Sequence, residues 1–189
     1  MGTKLLAVLL TGVAALAAET KMVQPRFADG NQLVRPESYQ DWIFVGSSLG
    51  MSYSQGTSSS GYAPDFHNVY IQPEAYRQFA STGTFPDGTM MVMEIRSAGS
   101  NASINKQGHF EDKLTGLDVA VKSASHFPEK WAYFNFDGPN GSFLAQAKPF
   151  PKDNCWSCHN AHGAADNVFV QFYPVLREAS KHAASPSSH

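Results

Sequence analysis

Thr89-Met90-Met91-Val92-Met93-Glu94-Ile95-Arg96-Ser97 reads as a β-strand. Side chains alternate across a strand, so Met91, Met93 and Ile95 share one face while Met90, Val92 and Glu94 share the other. Two more β-like runs follow, Leu117 to Lys122 and Trp131 to Phe136, each bounded by glycine, proline or serine. Upstream, Asn68-Val69-Tyr70-Ile71 looks like a strand, and Pro73 to Phe79, opening on proline with apolar residues three apart, like a short helix. Trp42 to Gly46 is a strand or a helix end. Phe143 to Lys148 is expected to be a brief helix, and Val170 to Lys181 a closing helix that tolerates Pro174. Several strands without regular βα alternation predict an α+β domain, an antiparallel sheet with helices packed to one side.

The wider composition agrees with one folded domain. Of 189 residues, 42% are hydrophobic and 16% charged, which excludes a wholly disordered chain or a coiled coil. The net charge of -2, with no run of Lys or Arg, argues against a nucleic-acid partner. There is no internal repeat. Met1 to Ala18 carries Lys4, an apolar run from Leu5 to Leu16, and the small-x-small ending Ala15-Leu16-Ala17. That is a signal-peptidase pattern, too short to span a hydrocarbon core of roughly 30 Å comfortably. The expected organisation is a signal peptide at 1–18, an N-terminal arm at 19–37, the folded domain at 38–182 and a disordered tail at 183–189. The mature protein is expected in a periplasm, with no membrane segment. A Ser/Gly-rich stretch from Gln55 to Gly61 is a loop.

Both cysteines of the chain fall in Asn154-Cys155-Trp156-Ser157-Cys158-His159-Asn160. Cys-x-x-Cys-His has a direct chemical meaning. On a helical turn the two thiols can each add to one vinyl group of a haem, and the imidazole of His159 then lies beneath the iron as proximal ligand. Three rivals fare worse. A thioredoxin-like pair wants a preceding βαβ unit, which is missing. A zinc site on Cys155, Cys158, His159 and His162 strains a tetrahedron across eight residues. A disulfide between residues three apart is geometrically poor. One motif predicts one covalently attached haem c.

The motif follows a long β-rich stretch and sits near the C-terminus, whereas small electron-transfer cytochromes carry it near the start of an all-helical domain. This arrangement resembles the cytochrome P460 superfamily, which includes cytochrome P460 and cytochrome c′-β. The resemblance covers roughly residues 38 to 180. It rests on Tyr39-Gln40-Asp41-Trp42 with Val45-Gly46, Asn68 to Tyr76, Thr82 to Thr89, Cys155 to His159, and Val168 to Arg177, in that order and spacing. It implies a five-coordinate haem c with an open distal side, in a protein that is usually dimeric, so a homodimer is expected. Cytochrome P460 itself oxidises hydroxylamine and carries a lysine cross-linked to a haem meso carbon. At the matching position this chain has Met93, whose thioether offers no nucleophilic amine, so that cross-link cannot form. Met93 is then a filler against the haem edge, a sulfur ligand on the iron, or a site of oxidative bonding to the macrocycle or of sulfoxide formation.

On the distal side, Phe66 is a candidate pocket wall, and His67 a candidate general acid-base group towards bound peroxide. The alternative for His67 is an ordinary surface or core-edge histidine. Asp153 is a candidate proton relay, or else an exposed loop acid or helix cap. Phe85 and the Trp131-Ala132-Tyr133-Phe134 run are candidates for an apolar pocket wall or, as is commoner for aromatics at such spacing, core. Three functions follow: binding of NO or CO, which ranks first with incidental peroxidase activity; an enzyme acting on peroxide or hydroxylamine, with hydroxylamine oxidation the runner-up; and a His/Met-ligated electron carrier with a redox partner.

Overall fold

The computed structural model describes residues 21–51 and 64–184, so the expected signal peptide, the Gln55 to Gly61 loop and the last five residues of the expected tail lie outside the described residues. Among the described residues, eight strands and three α-helices follow one another. They are β1 (Phe27–Ala28), β2 (Gln32–Val34), β3 (Ile43–Leu49), β4 (Phe66–Ile71), α1 (Pro73–Thr82), β5 (Met90–Gly99), β6 (Phe110–Lys122), β7 (Trp131–Asn135), β8 (Gln146–Ala147), α2 (Trp156–His162) and α3 (Pro174–Ala184). Strands β3 to β7 form a five-stranded sheet in sequence order, and every pairing is antiparallel. The α+β expectation holds.

Register fixes what each face carries. Across the sheet, Val69 pairs with Met93, Met93 with Asp118 and Asp118 with Asn135; the next row is Ile71, Met91, Ala120 and Tyr133. This face packs against α1, α3 and the segment after α2, with Val69, Ile71, Phe79, Phe85, Met91, Trp131, Val168 and Leu176 in one buried cluster. The opposite face buries Met90, Val92, Leu117, Val119, Val121 and Phe134 with Leu33, Tyr39, Phe127 and Phe136. The sheet is therefore a wall between two apolar cores, and the alternation read in β5 decides which residue serves which.

Pro73 occupies the first turn of α1, where its missing N–H is not needed. Gly83, at φ +74, closes the helix with an N–H donated to the Phe79 carbonyl at 2.8 Å, a left-handed turn that glycine adopts without a Cβ penalty. Phe79 is fully buried and stacks on Phe85 at 4.1 Å between ring centroids.

Three local expectations change. Residues 143–148 contain the short strand β8, not a helix, because Leu33 and Val34 of β2 pair with Ala147 and Gln146. The closing helix does not run through Pro174: Val170–Phe172 is a single 3-10 turn, and α3 starts at Pro174 and runs to Ala184. The N-terminal arm is structured from residue 27, since β1 and β2 form a three-stranded sheet with β8 and Leu33 is wholly buried.

Candidate functional site

The Cys-x-x-Cys-His segment folds as anticipated from its local chemistry. Cys155 occupies the N-cap position of α2, and Cys158 and His159 lie on the helix, which ends where the Gly163 N–H donates to the His159 carbonyl at 2.8 Å. Trp156 anchors the helix by donating from Nε1 to the Glu129 carbonyl at 3.3 Å. Both thiols are free. Among the described residues no group of three or more His, Cys, Asp and Glu gathers as a metal cage, so the zinc alternative finds no geometry.

His159 is held on three sides. Its ring lies between Tyr133 and Phe169, each 4.3 Å away between centroids. Its Nδ1 is 2.9 Å from the Asn167 carbonyl oxygen. A carbonyl can only accept, so Nδ1 carries the proton and Nε2 keeps its lone pair. Burial lowers the imidazole's affinity for a second proton, against the pull of the Asn167 hydrogen bond. A neutral, oriented imidazole with a free Nε2 is the state that binds a metal.

His159 and Cys155 open into a cleft whose other walls include Val69, Met91, Met93, Asp118, Tyr133, Phe150, Asn167, Phe169 and Tyr173, with an empty volume, mouth included, of about 830 Å³. Mostly apolar walls, the Cys155 thiol and a lone-pair-bearing imidazole fit a haem that Cys155 and His159 would hold; Cys158, half-buried on the same helix, does not line the cleft. The amide nitrogen of Asn167 is buried with no partner among the described residues, a donor left over for something in the cleft.

Met93 lines this cleft, on the face foreseen from the alternation. His67 lies on the same face, one register step further along at Ile95, but does not line the cleft. Phe66 is not brought to it. Adjacent strand residues point to opposite faces, so with His67 on the cleft side Phe66 belongs with Asn68 and Tyr70 on the other. Asp153 is also absent from the cleft. It is exposed, only its backbone carbonyl is engaged, accepting from Ser157 Oγ at 3.1 Å, and no side chain caps α2.

The carboxylate in the cleft is Asp118. It accepts from Asn135 Nδ2 at 2.9 Å. Burial pushes its carboxyl above the ordinary range; the Asn135 hydrogen bond opposes this, the Asp137 charge adds to it and His67 opposes it. Burial likewise raises the Cys155 thiol, with Asp118 and Cys158 contributing. Asp118 was legible only as the single acid in the run Leu117-Asp118-Val119-Ala120-Val121. Of the Trp131–Phe134 run, weighed as pocket wall or core, Tyr133 and Phe134 line the cleft.

Set against known proteins, the chain matches the family model described as Cytochrome P460 over residues 36–170. No curated protein matches it.

Proposed function

From the premise that this chain belongs to the cytochrome P460 family, whose members hold haem, we propose that it is an exported mono-haem c-type cytochrome that binds small neutral ligands such as NO and CO. Cys155 and Cys158 would hold the haem through thioethers and His159 would bind its iron. One observation carries the ligand class: no Lys or Arg is among the described residues lining the cleft, and the only carboxylate among them, Asp118, is pushed towards its neutral form. Such walls give an anion no counter-charge and cost a neutral diatomic molecule little. The haem supplies the ligand-binding iron; the protein orients the imidazole and keeps the opposite walls apolar.

A peroxidase-like activity is the second reading, favoured by Asp118. A buried carboxyl with raised proton affinity can hand a proton to a peroxide oxygen or take one back. Hydroxylamine oxidation of the P460 kind ranks lower, because Met93 stands where the cross-linking lysine would be. Met93 or Met91 sulfur on the iron would instead make an electron carrier.

The deciding experiment is the optical spectrum of the reduced holoprotein before and after CO. A high-spin spectrum that shifts on CO supports ligand binding. A low-spin spectrum indifferent to CO overturns it in favour of methionine ligation. Dimerisation and periplasmic location belong to the same proposal, read out by mass in solution and by fractionation of the expressing cell.

A further inference from the structure

The Asn167 carbonyl oxygen receives two donors. His159 Nδ1 donates at 2.9 Å and the Tyr133 hydroxyl at 3.3 Å. Asp166 and Asn167 are both non-glycine residues at positive φ, +46 and +61, a region such residues seldom occupy without being held.

The hold is visible. The Asp166 carboxylate is gripped from the turn end of the β6–β7 hairpin, by Lys122 Nζ at 2.5 Å and Trp131 Nε1 at 3.2 Å. Lys122 and Trp131 are register partners, so their spacing is set by the sheet. Lys122 also donates to the Phe85 carbonyl at 2.7 Å, which aims its ammonium inward. The ion pair is largely shielded, with side-chain exposures of 15% and 24%. From the other flank, Gln171 donates to the His162 carbonyl at 2.8 Å and accepts from the Ala164 N–H at 3.1 Å.

We propose that Lys122 and Asp166 are positioning residues that set the electron-donating strength of His159 through the Asn167 carbonyl, and that Tyr133 opposes them by competing for the same oxygen. The proposal rests on His159 being the haem's axial ligand. A firm Nδ1–H···O bond pushes electron density onto Nε2, which strengthens the bond to iron and favours the ferric state. Loosening the ion pair frees the strained turn, lengthens that bond and weakens the donor. Removing the Tyr133 hydroxyl returns a lone pair of the carbonyl to His159 and strengthens it.

The test uses the holoprotein and two readouts that a purely structural role would leave in place: the ferric/ferrous reduction potential and the iron–histidine stretching band of the ferrous protein. Lys122→Met and Asp166→Asn should each raise the potential and lower the band. Lys122→Arg, which keeps the ion pair, should match the parent. Tyr133→Phe should move both readouts the opposite way. If Lys122→Met does not fold, Asp166→Asn, which keeps an acceptor for Trp131, carries the test. Folded Lys122→Met or Asp166→Asn proteins with the parent's potential and band overturn the positioning role. An unmoved Tyr133→Phe protein overturns the competition. A parent protein whose ferrous state is high-spin and yet shows no iron–histidine band refutes the axial assignment itself, a failure distinct from the other two.

Discussion

Asp118 and Met93 face each other as register partners across β5 and β6, so a carboxyl and a thioether enter the cleft side by side. Their neighbourhood yields the first prediction. Asp118→Asn keeps the acceptor for Asn135 and removes the acid. Peroxide turnover should fall by about 10²-fold if Asp118 moves the proton, while the CO-bound spectrum is retained. His67→Ala, removing a side chain that does not line the cleft, should have a much smaller effect.

The same substitution predicts a pH dependence of stability. A buried acid whose folded pKa is raised disfavours its own ionisation, so the penalty is absent below the ordinary value of 3.8 and grows as pH rises through it. Thermal melts of Asp118→Asn and the parent should therefore diverge in favour of the variant as pH rises from acid to neutral. Curves that stay parallel would contradict the raised affinity.

On the far side of the sheet, Glu94 is 1% exposed and accepts from Tyr39 at 2.8 Å and from Arg96 Nε at 2.8 Å. Burial is the largest single influence on its carboxyl and opposes ionisation, but the Arg96 and Tyr39 hydrogen bonds and the Arg96 charge outweigh it, and the net shift is downward from 4.5. Its stabilisation is present above that value and is lost as pH falls through the lower folded one. Glu94→Gln should cost about 3 kcal/mol at pH 7 by urea unfolding, a buried pair losing one partner, with the deficit shrinking in acid.

Replacing Cys155 and Cys158 together by alanine should leave any bound haem extractable by acidified organic solvent, whereas each single variant should retain one covalent bond. Haem that stays with the double-variant polypeptide would sink the attachment assignment.

Gly163→Ala puts a Cβ 2.6 Å from the His159 carbonyl oxygen and 2.8 Å from the Asn167 carbonyl carbon. Both are backbone atoms of the turn that orients the imidazole. The expected outcome is a destabilisation of about 1–3 kcal/mol with reduced haem loading per chain, read from the Soret-to-protein absorbance ratio.

What could be read from the residues alone follows the range of the interactions involved. The face assignment in β5 is a period-two property of nine neighbouring residues, and the attachment motif spans five; both are local. Phe66 and His67 were assigned to one pocket although strand geometry separates neighbours, and only the pairing with Ile95 and Arg96 shows which of them faces the cleft. Asp118 acquires meaning solely from its position opposite Met93, a relation between residues 25 apart that needs the register. Pro174 was read as tolerated inside a longer helix, whereas it opens α3, where a residue lacking an N–H costs nothing.

One wall of the cleft is a pleated strand, and this limits how the site can change over evolutionary time. Along β5 only alternate positions, 91, 93 and 95, lie on the cleft side, and the residues between them belong to a different core. A single codon change at 93 therefore exchanges a thioether for another functional group without disturbing the backbone hydrogen bonds or the far core. A one-residue insertion would swap the two sets and ruin both. Such a scaffold diversifies by point substitution at every second position, which makes a change of chemistry at residue 93 an accessible step between relatives sharing one architecture.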